Sequence, residues 1–180
     1  MNVWKKTDII RMKVNEDKLV FYITFKKECT VIDRPNAIVI DLNENNVTIG
    51  VFNQGKITVI RYEHKLGDIV RRYHYKRRYI QMKYGIHRKG TSPNLNPIYR
   101  RAMWKLKGSE RRRKRDIVYK MCKYIINLAK EHDANVYVGK VNKDSIVYSV
   151  KDDELRHRLY QWSVKTIIET LIDKGLESGI

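Results

Sequence analysis

The segment Ala37-Ile38-Val39-Ile40-Asp41-Leu42 constrains this chain more than any other stretch. Four consecutive apolar residues, two of them isoleucine and one valine, are too few for a helix and read as a short buried strand. Asn43-Glu44-Asn45-Asn46 follows as turn chemistry, because asparagine tolerates left-handed backbone and bonds to its own neighbours. Residues 47–52 return as a second strand. Asn53-Gln54-Gly55 turns again into a third over residues 56–62. The prediction is a three-stranded meander with one carboxylate, Asp41, near the tip of its first strand. A carboxylate there can hold a divalent ion such as Mg2+, which binds through carboxylate oxygens and keeps several waters. An aspartate opening a turn is equally ordinary turn chemistry.

Elsewhere the decisive quantity is charge. The 180 residues carry a formal net charge of +18, and residues 65–115 alone hold 18 Lys and Arg against two acids, Asp68 and Glu110. The rest of the chain has 20 bases and 18 acids, so nearly all the excess sits in one internal segment. An internal helical segment of this kind predicts a shaped face for phosphates. A membrane-surface helix would need a strong apolar face, whereas here Tyr, Arg and His interleave. No apolar run is long enough to span a bilayer, and the N-terminus lacks the apolar core of a signal peptide. Cys29 and Cys122 are far apart and fit neither a zinc site nor a disulfide framework, so a reducing, cytoplasmic setting is expected.

In chain order, residues 9–25 predict a β-hairpin, with Ile10, Met12 and Val14 alternating onto one face. Asp33-Arg34-Pro35-Asn36 breaks before the central strand, which divides the chain into a segment 1–34 and a domain 35–180. Residues 67–84 predict a basic helix capped by Gly85, residues 85–97 a loop, and residues 98–107 a short helix interrupted at Gly108. Ser109 then reads as the N-cap of a helix running to about Glu131, basic at its start and apolar over Ile117, Val118, Met121, Cys122, Ile125, Leu128 and Ala129. A strand over residues 136–139 follows. Asp152 is placed as the cap of one last helix, with Leu155, Leu159, Trp162, Ile167, Ile168, Leu171 and Ile172 inward and Gly179 as its C-cap. This is an α/β order, with strands in one layer and helices packed over it.

Three features together resemble the TnpB/OrfB transposase-associated family, RNA-guided nucleases of small mobile elements and relatives of the compact type V CRISPR effectors. They are Ile38-Val39-Ile40-Asp41-Leu42 followed by Asn45-Asn46-Val47-Thr48; the Arg-rich helical pair leading to Asn135-Val136-Tyr137-Val138; and Leu159-Tyr160-Gln161-Trp162 with Lys174-Gly175-Leu176-Glu177-Ser178-Gly179-Ile180. The resemblance implies an RNase H-like (RuvC-type) mixed sheet flanked by helices. It makes the first hairpin a remnant of an oligonucleotide-binding wedge, and residues 65–115 an inserted basic helical hairpin.

Such nucleases use two Mg2+ ions held by carboxylates from three places. Asp41 matches the first, as both catalytic residue and metal ligand. The second should follow the strand over residues 136–138, where this chain has Gly139. Asp144 and Glu131 do not stand at the matching place. The third lies beyond a zinc-binding cysteine cluster, and the chain ends before either. The resemblance therefore implies a truncated protein with Mg2+ weakly held or absent, no nuclease activity of its own, and a nucleic-acid partner, DNA and/or a guide-like RNA. Its contacts are expected from Arg71, Arg72, Lys76, Arg77, Arg78, Arg100, Arg101, Arg111, Arg112, Arg113, Lys114 and Arg115, with Trp104 for base stacking. Two alternatives stand beside an inactive transposase relic. One is a stand-alone nucleic-acid-binding module, and the other an active nuclease completed by another chain.

Overall fold

The computed structural model describes residues 4–15, 18–84, 97–139, 149–152, 155–156, 159 and 162–180. Strands β1 (Trp4–Asn15) and β2 (Lys18–Lys27) form a two-stranded antiparallel sheet of their own. A second sheet holds β3 (Asn36–Leu42), β4 (Asn46–Asn53), β5 (Lys56–Glu63) and β6 (Ala134–Val138), in the order β5-β4-β3-β6. The meander pairs antiparallel, and β6 joins β3 in parallel on the other side. Three helices complete the fold: α1 (Leu66–Lys83), α2 (Pro97–Glu131) and α3 (Val164–Ser178). It is an α/β architecture with a mixed four-stranded sheet.

Turn chemistry sets the meander's register. Gln54 and Gly55 have φ of 47° and 77°, the two left-handed residues of a tight hairpin turn whose twist matches that of the strands. In the first turn, the Asn43 amide N–H donates to the Asn46 carbonyl at 3.0 Å. Asn45 ties that turn to the next element: its Oδ1 accepts from the Gly67 N–H at 2.9 Å, in the first turn of α1. A Cβ on Gly67 would come within 2.8 Å of that oxygen, so the contact depends on glycine here.

β3 is buried on one face only. Ile38 and Ile40 are 0% and 1% exposed, whereas Val39 between them is 42% exposed. The run of apolar residues therefore alternates, as expected of a sheet covered on one side. Ile38, Ile40, Leu42, Val47, Ile49 and Val51 face Val118, Met121, Cys122, Ile125 and Ala129 of α2 and Ile167 and Leu171 of α3. Burying each large aliphatic side chain contributes about 1.5–3 kcal/mol.

Four sequence expectations change. β6 starts at Ala134, two residues early, because the turn before it is only two residues long. That turn is pinned: Asn36 Nδ2 donates to the His132 carbonyl at 2.7 Å, Asn135 Nδ2 to Asp33 Oδ1 at 2.8 Å, and Arg34 pairs with Asp133. Next, α2 is one helix of 35 residues, unbroken at Gly108. Ser109 is no N-cap; its Oγ lies 2.7 Å from the Tyr73 hydroxyl of α1. Gly108 lowers helix propensity without ending the helix, because packing along α1 carries it through.

The last helix, third, is not continuous. Asp152 Oδ1 does accept from the Leu155 N–H at 2.7 Å, but Trp162 and Ser163 are non-helical and α3 begins at Val164. Ile172, finally, is 54% exposed rather than inward. Gly179 is the expected left-handed C-cap, at φ 72°, and the Ile180 N–H donates to the Gly175 carbonyl at 2.9 Å. The predicted loop cap at Gly85 lies outside the described residues, while the predicted loop's last residue, Pro97, opens α2.

Hairpin β1–β2 keeps large apolar side chains exposed on both faces, among them Met12, Phe21, Tyr22 and Phe25. Among the described residues no helix is long and apolar enough to cross a membrane.

Candidate nucleic-acid interface

Two places carry the expected chemistry: the outer face of the sheet at Asp41, and the hairpin formed by α1 and α2.

Register fixes the surroundings of Asp41. Ile40 pairs with Val138 in parallel, and the Gly139 N–H donates to the Ile40 carbonyl at 3.2 Å, so Gly139 comes level with Asp41. Residues level across neighbouring strands point to the same face, and strands lie about 4.8 Å apart. A row Gly139, Asp41, Thr48, Arg61 therefore crosses the outer face, with Arg61 held by Glu63 at 2.6 Å. Asp41 is exposed, and its Oδ2 accepts from Asn43 Nδ2 at 3.2 Å. The resemblance asks for a second carboxylate where the chain has Gly139, and the fold does bring that position beside Asp41. A Cβ there would meet only the Ile40 carbonyl oxygen, at 3.8 Å.

The donors beside Asp41, among the described residues, do not make up a two-ion centre. Among the described residues no group of three or more His, Cys, Asp or Glu could hold a metal ion. One carboxylate with hydroxyl and amide neighbours leaves the charge of two close cations unscreened. Glu131 ends α2 before the turn into β6, and Asp144 lies outside the described residues.

The helical pair is built by its aromatics and one acid. α1 and α2 run antiparallel: Tyr73 meets Ser109, Arg77 meets Glu110, and the Tyr84 and Tyr99 rings stack edge-on at 6.0 Å. Residues 97–116 contribute nothing to the core under the sheet and lie along α1 instead. At 1.5 Å per residue they extend about 30 Å.

Of the expected contact residues, Arg72, Lys76, Arg78, Arg100, Arg101, Arg111, Arg112, Arg113 and Arg115 are exposed, and Trp104 is 76% exposed. Lys76 Nζ also sits 5.4 Å from the Tyr73 ring centre. Arg71 pairs with Asp68 at 3.0 Å on the surface. Arg77 and Lys114 differ from the rest. Their side chains are drawn in toward Glu110, which is 6% exposed: Arg77 Nη1 lies 2.6 Å from Oε2 and Lys114 Nζ 2.9 Å from Oε1.

The residue that sequence reasoning undervalued is Glu110. Its signal was present: it is a lone acid within a run of bases, followed at once by Arg111, Arg112, Arg113, Lys114 and Arg115. Both acids of the segment are thus taken up by its own cations, and the arginines beyond them present their charge to solvent. Such an array can neutralise phosphates and stack a base, without fixing any sequence.

No protein-family model matches the chain. It is similar to the TnpB-like protein MJ0751 of Methanocaldococcus jannaschii, at 25% identity over 153 residues. The match covers 83% of this chain and 51% of the relative, so the chain spans about half that protein's length. A match covering so much of the chain cannot miss its middle, and it takes in the meander and the basic helical pair. The likeness to this TnpB-like protein is distant, and it runs through most of the chain.

Proposed function

We propose that this is a transposase-associated, TnpB-like protein of a mobile element, with an RNase H-like core that binds nucleic acid and does not cleave it unaided. The observation that carries the reading is the placement of charge. Most of the excess of residues 65–115 lies on a helical pair whose acids are internally paired and whose remaining described arginines are exposed. Self-repulsion of that size disfavours a compact state unless a polyanion relieves it. The RNase H-like assignment draws support from the mixed sheet, with its Asp-bearing central strand beside a parallel strand that ends level with it.

Salt dependence tests the binding. If the face neutralises about six phosphates, log affinity for duplex DNA falls with log salt at a slope near −5. Anisotropy titrations of a labelled duplex across salt concentrations read this directly, and a shallow slope would reject the interface.

The inactive site has its own test. Gly139→Glu adds an anionic ligand on the face and level of Asp41, and is expected to tighten Mg2+ or Mn2+ binding about tenfold, roughly 1.4 kcal/mol. Asp41→Ala in the same background should remove the gain. Calorimetric titration of the three proteins decides the matter; unchanged affinity in Gly139→Glu means Asp41 is no metal ligand. Metal-dependent cleavage by the unaltered chain, abolished by Asp41→Ala, would instead support an active nuclease.

A further inference from the structure

Hairpin β1–β2 carries an apolar face that no described residue covers. The cross-strand pairs Ile10–Ile23, Met12–Phe21 and Val14–Leu19 stand level in the ladder, so their side chains share one face, and Phe25 extends that face along β2. All seven are large and apolar, and each keeps between 48% and 67% of its exposure. The other face is different, with Arg11 level with Tyr22 and Lys13 level with Val20. Apolar and cationic residues are thus sorted onto opposite sides of one two-stranded sheet.

A hairpin of two strands is marginal in water by itself and needs another layer to pack against. Seven side chains of this size, half exposed or nearly so, leave on the order of 800 Å2 of apolar surface in one patch, more than the roughly 300–600 Å2 of the largest patch on a typical monomer. That area is what one partner gives to an interface of standard size, about 800 Å2 per side. Charge selects the occupant. The seven positions hold no charge and so offer no ion pair to an acidic or basic partner. Two copies of the face, by contrast, meet without burying an ion, because Arg11 and Lys13 point outward from each hairpin.

We infer that this face pairs with the same face of a second copy of the chain, the two hairpins stacking as a two-layered, four-stranded seam about a twofold axis. A twofold interface must be self-complementary, and this one is apolar from end to end. Met12 and Phe21, in the middle of one face, meet their counterparts on the other across layers about 10 Å apart.

The experiment uses the full chain, freed of nucleic acid, in sedimentation equilibrium. Twice the chain's mass of 21.5 kDa is expected to dominate above about 10 µM, within the range that interfaces of this area support. Added salt should not loosen the dimer, since no ion pair holds it. Phe21→Lys is expected to weaken it more than about 100-fold, because the twofold axis brings two unpaired charges into the seam. Tyr22→Thr, on the opposite face of the same strand, should change it less than about threefold. Hydrogen exchange on the unaltered chain gives a reading that needs no variant: amide protection in β1 and β2 should rise with protein concentration through the dimer's dissociation constant. A monomer at about 100 µM, beyond the weak end of that range, overturns the proposal. So does protection independent of concentration, or a dimer indifferent to Phe21→Lys. A monomer that cosediments with phosphatidylcholine vesicles overturns it equally and gives the face to a lipid surface.

Discussion

Replacing Arg111, Arg112, Arg113 and Arg115 together by alanine is expected to lower affinity for duplex DNA about 100-fold near 0.15 M salt, and to flatten the salt slope by 2 to 3. The magnitude follows from geometry. At 100° per residue Arg111 and Arg115 share one side of α2, while Arg112 and Arg113 point elsewhere, so two or three of the four can reach phosphates of one ligand at once. Each contact contributes about 0.9 to the slope, and extrapolation from 1 M to 0.15 M turns two or three such contacts into a factor of roughly 30 to 200. Folding should not suffer. All four residues are exposed, alanine is the best helix former, and the like-charged pair Arg111 and Arg115, one turn apart, disappears. An unchanged melting temperature with an unchanged slope would place the phosphates elsewhere on the molecule.

What was legible in the sequence depended on how local the cause was. The meander was legible because each of its strands is bounded by turn residues that act on their own neighbours: Asn43 to Asn46 at one end, Gln54 and Gly55 at the other. The apolar stripe of α2 from Val118 to Ala129 was legible for the same reason, since helical period and burial coincide there. Features set by distant partners were not. Gly108 and Ser109 carry the local signature of a helix boundary, yet Tyr73 and Arg77 of α1 hold residues 109 and 110 inside one continuous helix. Likewise, nothing near Ala134 signals that β6 begins there; the pinning groups, Asp33, Arg34 and Asn36, lie about a hundred residues away in sequence.

The candidate site divides along the same line. That residues 65–115 are a cationic face follows from counting. Which cations face outward does not, because Arg77 and Lys114 look like their neighbours until the fold sets Glu110 between them. The juxtaposition of Asp41 and Gly139 came from the resemblance, and the parallel register of β3 and β6 supplies its geometry.

Glu110→Gln is expected to cost about 2–3 kcal/mol of folding stability, a fall of roughly 5–10 °C in melting temperature for a chain of this size. The substitution keeps shape and volume but leaves two cations facing an uncharged amide in a largely dry place. Removing one partner of a fully buried pair costs about 3–5 kcal/mol. The expectation here is lower because the Arg77 and Lys114 side chains keep 24% and 16% of their exposure and can swing their heads toward water. Replacing the Arg77–Glu110 pair with apolar groups, Arg77→Met with Glu110→Leu, should recover only part of the loss. Such exchanges are near neutral only where no charge is stranded, and the Lys114 ammonium must still move out to water. Differential scanning calorimetry of the single and double variants gives the comparison. Hydrogen exchange then locates it: protection should fall in the second half of α1 and in residues 97–116, and persist in the sheet, because Glu110 joins the two helices where neither packs on the core. A loss under about 0.5 kcal/mol, or one spread evenly through the sheet, would mean that the aromatic contacts of Tyr73, Tyr84 and Tyr99 hold the helical pair without the buried acid.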